Sequence, residues 1–218
     1  KNKLVLITCK IKRYVDNVTI EQKLMTDKLN PIDLFHEWFA DAKKSEPLMP
    51  EAMSLATSGN DGQVSSRMVL MKSATNSGFV FYTNMESQKA TCINQNPKVA
   101  LLFHWKSLSR QVRVNGRAEL IDEAASDVYF ATRPRAAQIG AWASKQSKPM
   151  HNEEALRKDI DFHTARFGID QIPRPSFWGG YRVLPNQIEF WEEGNFRLHN
   201  RRLYTKTPTG WSIQLLYP

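Results

Sequence analysis

Residues 176–217 read SFWGGYRVLPNQIEFWEEGNFRLHNRRLYTKTPTGWSIQLLY, and the architecture turns on how they divide. Four runs rich in aromatic and branched residues (176–184, 187–193, 196–206 and 211–217) are separated by Pro185-Asn186, Gly194-Asn195 and Pro208-Thr209-Gly210. Short connections of that composition are turn signals, so four successive strands joined by tight turns are expected. In the third run Arg197, His199 and Arg201 alternate, and on a strand all three leave one face. Cations so placed repel one another unless an anion or carboxylates lie among them. His199 adds a group that titrates near neutral pH. An edge strand that uses charge against aggregation has the same pattern. Both readings stand at this level.

The same grammar extends upstream. Residues 51–59, 65–74, 78–84, 98–105 and 110–121 read as strands, with Gly59-Asn60-Asp61-Gly62 as the turn between the first two. A helix is expected over 30–46, where Asn30 is placed to cap and Pro31 to start it, and Ile32, Phe35, Trp38 and Phe39 recur at helical spacing. Further helices are expected near 86–95, 123–132, 135–144 and 152–167. Many short strands with hairpin turns and a few inserted helices predict a mainly β fold, a barrel-like core of antiparallel strands. Residues 1–29 are weakly patterned and read as an N-terminal arm of uncertain order; 30–218 read as a single domain.

Composition narrows the partners. The 218 residues carry a formal charge of +8, with 41% hydrophobic and 24% charged residues, within the globular range. An anionic partner is expected. The basic residues are scattered rather than blocked, which weakens a nucleic-acid reading in favour of phosphorylated small molecules. Nothing approaches the length of a membrane-spanning helix. The apolar core of KNKLVLITCK (1–10) is short for a signal peptide. A soluble cytoplasmic protein is therefore expected. The chain opens on Lys1, so a start further upstream is expected as well. Cys9 and Cys92 form neither a metal-ligand spacing nor a disulfide framework, so no metal is expected. No glycine-rich phosphate loop is present, and a bound phosphate must be held by side chains.

Several segments carry residues suited to that task. RMVLMK (67–72) puts Arg67 and Lys72 at odd separation, hence on opposite strand faces, one toward a cofactor and one toward a substrate, or simply one cation at each end of a barrel strand. Tyr82 and Thr83 end a strand just before a helix N-terminus, a setting that suits phosphate and equally suits ordinary capping. RQVRV (110–114) places Gln111, Arg113 and Asn115 on one face and Val112 and Val114 on the other. A glutamine offers both a donor and an acceptor to a heteroaromatic edge, although a solvated face has the same pattern. Tyr129, Arg133 and Arg135 combine a phenol with guanidinium groups, a pairing suited to a phosphate monoester. FWGGY (177–181) and EFW (189–191) supply aromatics and a glycine pair where a planar ligand can approach, or where a core packs.

Taken together, RMVLMK, FYTN, RQVRV, YFATRPR, QIGAWASKQS, FWGGY, IEFW and RLHNR, in this order and spacing, resemble the pyridoxine (pyridoxamine) 5′-phosphate oxidase family over about residues 30–218. The resemblance implies an FMN-binding split β-barrel acting as a homodimer with FMN at the subunit interface. It implies oxidation of pyridoxine 5′-phosphate or pyridoxamine 5′-phosphate to pyridoxal 5′-phosphate, with molecular oxygen as acceptor and hydrogen peroxide as product. Carried over by motif, the FMN contacts are Arg67, Met68, Val69, Leu70, Met71, Lys72, Tyr82, Thr83, Lys89, Gln111, Gln146, Ser147, Trp191 and Arg201. Lys72, Tyr129 and Arg133 are implied for the substrate phosphate. Arg197 and His199, with Leu198 between them, are implied over the substrate ring as the catalytic pair. No membrane or nucleic-acid partner is implied.

Departures from the family pattern also stand out. Gln88 replaces an expected Arg, Ala137 an expected Ser, Asn200 an expected Asp and Leu215 an expected Arg. The family's N-terminal Arg-x-x-Tyr segment is echoed only by Lys12-Arg13-Tyr14. These changes predict weakened FMN or substrate binding, since each lost charge-assisted bond costs roughly 1.5–3 kcal/mol. They also motivate an alternative, a catalytically weak relative that binds FMN or pyridoxal phosphate as carrier or sensor. Retention of Lys72, Tyr129, Arg133, Arg197 and His199 favours the oxidase.

Overall fold

A computed structural model describes residues 30–218. The expectations for the arm, Cys9 and residues 12–14 lie outside the described residues. Helix α1 (Pro31–Ser45) begins as its sequence dictates: the Asn30 side chain accepts from the Ile32 N–H at 3.0 Å, and Pro31 needs no partner in the first turn. Its apolar face, Ile32, Leu34, Phe35, Trp38 and Ala42, is buried. The Phe35 ring lies 5.0 Å from both Phe79 and Phe103, and Trp38 meets Phe190 edge-on at 5.1 Å.

Strands β1 (Ala52–Ser58), β2 (Val64–Leu70), β3 (Ser73–Thr75) and β4 (Gly78–Asn84) follow, then helix α2 (Gln88–Gln95) and strands β5 (Lys98–Trp105) and β6 (Arg110–Leu120). Helices α3 (Glu123–Ala131), α4 (Arg135–Ala143) and α5 (Glu153–Phe167) precede β7 (Trp178–Glu192), β8 (Asn200–Thr207) and β9 (Gly210–Leu215). All pairings are antiparallel, in the order β2-β1-β5-β6-β7-β4-β3, with β8 on β7 and β9 on β8. The mainly β architecture with inserted helices matches the expectation.

The two ends of that order are one stretch of chain. Residues 65–74 do not form one strand, as the alternation predicts; the run breaks at Met71 and Lys72. The Met71 N–H donates to the Glu51 carbonyl on the β1 side, and the Lys72 N–H to Val80 on the β4 side. The segment thus leaves one neighbour and takes another, and this corner curls the sheet into a barrel. Met71 turns inward, 5% exposed, among Phe35, Phe79 and Phe103.

One further expectation is corrected along β7. Pro185-Asn186 is no turn; the strand runs through it for 15 residues. Residues 178–183 pair with β4 and 187–192 with β8, while β6 follows the whole length from 181. Pro185 falls where the changing neighbour is absent, so its missing N–H breaks no bond on that side. A bulge beside Gly116 absorbs the extra residue. A Cβ on Gly116 would lie 2.3 Å from the Leu184 carbonyl oxygen, so only glycine fits there. The barrel splits at this point.

The run 196–206 is likewise not all strand. Residues Asn195–Arg197 form a single 3₁₀ turn, with left-handed φ of 57° at Phe196 and 63° at Arg197, and β8 begins only at Asn200. The His199 Nδ1 accepts from the Gly194 N–H at 3.3 Å and closes the turn. Arg197, His199 and Arg201 therefore do not share one strand face. A second apolar cluster, Phe130, Ile139, Phe167, Ile172 and Trp178, packs the helices against the β4–β7 flank.

Candidate functional site

A cleft of about 780 Å³ opens between the corner after β2, the end of β4, the start of α2 and helices α3 and α4. Four cationic residues line it, Arg67, Lys72, Lys89 and Arg133, and no Asp or Glu does. Arg67 and Lys72 reach the same cleft despite their odd separation, because the corner intervenes between them. Uncompensated positive charge in a concave site is an invitation to an anion.

Three of the four cations, Lys89, Arg67 and Arg133, sit among neutral groups. The Lys89 ammonium, in the first turn of α2, donates to Gln146 Oε1 at 2.6 Å, Ser87 Oγ at 3.1 Å and Thr83 Oγ1 at 3.2 Å. Burial, then the nearby Arg67 charge, lowers its pKa to about 8. The Arg67 guanidinium donates to the Leu55 and Ser65 carbonyls, Thr57 Oγ1 and Ser65 Oγ, and burial lowers its pKa. Arg133 lies over the Trp178 ring at 4.8 Å, and its Nη1 is buried with no hydrogen-bond partner. Desolvation lowers its pKa too, against a smaller opposing effect of Tyr129. The Tyr82, Tyr129 and Trp178 rings lie nearly parallel, with Tyr82 4.1 Å from Tyr129 and 5.3 Å from Trp178 and those two 6.2 Å from each other, and together make one wall of the cleft. Burial raises the Tyr82 pKa, so the phenol stays protonated at neutral pH.

The glycine pair at 179–180 serves packing rather than ligand approach. A Cβ on Gly180 would lie 2.4 Å from Ile121 Cδ1 and 2.8 Å from Tyr82 Cε1. Arg135 turns away from the cleft and donates to the Gly168 and Asp170 carbonyls.

The residues singled out in the sequence fall into three groups. Arg67, Met68, Val69, Leu70, Lys72, Tyr82, Thr83, Lys89, Tyr129, Arg133 and Gln146 all line the first cleft, with exposed Ser147 next in the chain. Met71 does not; it is core. Arg197 and His199 line a separate cleft of about 610 Å³ with Glu193, Gly194 and Asn200, and Leu198 is exposed beside them. Gln111, Trp191 and Arg201 form a third feature, a row of register partners across β6, β7 and β8 on the outer sheet face. His199 joins it, its ring 4.7 Å from Trp191. The proton of a neutral His199 sits on Nε2, since Nδ1 is an acceptor.

Sequence reasoning missed Glu189. This carboxylate sits next to the row on the outer face yet is buried, accepting from Arg201 Nε at 2.8 Å and Arg113 Nη1 at 3.0 Å. Arg201 also donates to the Tyr217 carbonyl at 3.0 Å. Arg201, next in the chain to Asn200, thus has its carboxylate partner on the neighbouring strand. Also missed were Thr57 and Ser65, which aim Arg67, and Thr132 and Ser144 in the cleft wall.

Comparison with known proteins places this geometry. Residues 39–163 match the family described as pyridoxamine 5′-phosphate oxidase, and 178–218 match the pyridoxine 5′-phosphate oxidase C-terminal dimerisation region. The chain belongs to the pyridoxamine 5′-phosphate oxidase family. Proteins from Brucella canis and Brucella suis named pyridoxine/pyridoxamine 5′-phosphate oxidase are 51% identical over 195 residues, 88% of this chain and 96% of theirs. Among solved structures, PhzG from Burkholderia lata 383, in complex with tetrahydrophenazine-1-carboxylic acid, superposes with TM-score 0.82 at 31% identity, covering 87% of this chain and 93% of that one. A pyridoxamine 5′-phosphate oxidase-related, FMN-binding protein from Nostoc punctiforme shares the fold, with TM-score 0.65 at 19% identity over 79% and 90% of the two chains.

Within this family member the departures sort by position. Ala137 lines the first cleft and Asn200 the second. Gln88 is exposed at the start of α2, and Leu215 is 58% exposed on β9. Among the described residues no group of His, Cys, Asp and Glu is placed to hold a metal, no helix is long and apolar enough to cross a membrane, and Cys92 is a half-buried free thiol.

Proposed function

We propose that this chain is an FMN-dependent oxidase that converts pyridoxine 5′-phosphate or pyridoxamine 5′-phosphate to pyridoxal 5′-phosphate, with O2 as acceptor and H2O2 as product. The observation that carries this reading is the cleft lined by four cations and no carboxylate. The family membership and the 51% identical relatives of that name support it.

The donor set fits two phosphate monoesters. Lys89 and Arg67, with Thr83 and Gln146, form one cationic group suited to the FMN phosphate. Lys72, Tyr129 and Arg133 form the other, suited to the substrate phosphate, and the buried unpaired Nη1 of Arg133 has a donor to spare for it. Bound FMN would supply two-electron chemistry: the substrate C4′ carbon gives up a hydride and its hydroxyl or amine a proton, O2 takes the electrons and two protons, and water replaces the amine where the substrate has one. The chain's own part is position and charge. Arg197 and His199 hold the ring and the C4′ group, His199 keeping its proton on Nε2. Gln111, Trp191 and Arg201 form a face for the flavin ring.

These groups occupy separate surfaces of one chain. In this reading a homodimer joins them, and Trp191, Arg197, His199 and Arg201 all fall in the segment that matches the dimerisation region. The test is purification, a flavin absorption spectrum and oxygen-dependent formation of pyridoxal 5′-phosphate from each substrate. A yellow protein with turnover is expected. Bound flavin with no turnover would favour the carrier reading, and a colourless protein that FMN cannot reconstitute would end both.

A further inference from the structure

On the outer face of the sheet, where side chains are ordinarily wet, Glu189 is only 7% exposed. It alternates with core residues: Ile188 and Phe190, its neighbours in the chain, point into the barrel at 0% and 1% exposure. A carboxylate kept from water on a solvent face needs cover and compensation. Both come from the same two residues. Arg113, its register partner on β6, takes one oxygen, and Arg201, a diagonal neighbour on β8, takes the other.

The Arg201 guanidinium is fixed at two corners, Nε on Glu189 and Nη1 on the Tyr217 carbonyl, while Nη2 makes no hydrogen bond among the described residues. Its register partner is Trp191, whose own partner on β6 is Gln111. A guanidinium pinned in this way presents its remaining N–H groups in one direction, which an unpinned arginine does not. Two cations share one carboxylate, so the cluster keeps a net positive charge at the row's edge.

We infer that Glu189 is a positioning residue for the flavin face: it acts through Arg201, orienting that guanidinium toward whatever lies on the Gln111–Trp191 row. Arg113 neutralises the oxygen that Arg201 leaves and does not itself contact the ligand. This inference rests on the FMN reading above.

The test is FMN affinity of the full-length protein, measured by flavin fluorescence quenching on wild type, Glu189→Gln, Arg201→Ala and the double variant. Glu189→Gln is expected to weaken FMN binding about tenfold while leaving the melting temperature of the flavin-free protein within a few degrees. In the Arg201→Ala background the same change should cost no further affinity, because the residue through which it acts is gone. A purely structural Glu189 would give losses that multiply. Independent losses, or a Glu189→Gln protein that binds FMN as wild type does, would overturn the assignment. Should Glu189→Gln fail to fold, Arg201→Lys asks the same question, since lysine keeps the charge but lacks the fork spanning Glu189 and Tyr217. Wild-type affinity in that variant would equally overturn it. Wild-type protein that takes up no FMN would instead sink the cofactor reading itself, and this inference with it.

Discussion

The Lys89 ammonium lies 2.6 Å from the Gln146 side-chain oxygen, with no carboxylate in hydrogen-bond reach among the described residues. Its pKa of about 8, against an ordinary 10.5, follows from that burial and from Arg67. A phosphate dianion selects the charged form, so FMN affinity should fall as pH rises through about 8, by at most about tenfold per unit. The flavin-free fold has the opposite slope. The unfolded chain holds this proton to higher pH, so the group adds stability as pH climbs from about 8 toward 10.5. Fluorescence titration across this range checks the first slope and thermal melts the second; Lys89→Met should flatten both.

Arg133 carries the unpaired buried Nη1, and the proposed function assigns it to the substrate phosphate. Arg133→Lys should raise the substrate KM by about 10- to 100-fold, the worth of a charge-assisted bond. FMN affinity should stay within about twofold, because the proposed function gives that phosphate to Arg67 and Lys89 instead. Steady-state kinetics with a parallel FMN titration separates the two effects.

Arg197 lies in the second cleft, away from the cations of the first. Arg197→Ala should lower kcat/KM by about 10- to 100-fold. Bound FMN should remain, visible as an unchanged flavin content after desalting. Loss of flavin instead would assign the turn at 195–197 to the cofactor.

Phe35 is the anchor of α1, fully buried against Phe79, Phe103 and Trp105. Phe35→Ala should cost about 3–5 kcal/mol of stability. Urea unfolding monitored by tryptophan fluorescence measures it. Flavin affinity of the fraction still folded should be little changed, since Phe35 lines neither cleft.

The strands and helices were legible because their periods are written locally. Val112 and Val114 alternate with Gln111, Arg113 and Asn115, and the structure buries the valines and leaves Arg113 and Asn115 exposed. Of the three misread places, two depend on a distant neighbour and the third is local. The break at Met71–Lys72 comes from a change of partner strand, Pro185 is tolerated because its flank is vacant, and the left-handed Phe196 and Arg197 carry none of the residues that advertise such a turn. The first cleft was legible because the ordered motifs named its residues. Glu189 was not, because alternation marks it as outward and only cover from Arg113 and Arg201 buries it. Charge balance at Arg201 is likewise settled across strands, by Glu189 on β7, and not along β8.

The corner at Met71 and Lys72 has one more consequence. The sheet's first and last strands are a single covalent segment, and Arg67 and Lys72 stand on either side of its bend. The barrel's seam and the wall of the anion cleft are therefore the same few residues. Such a seam cannot come unstitched while the cleft stays whole, and an anion spanning the two cations would act as a rivet through it.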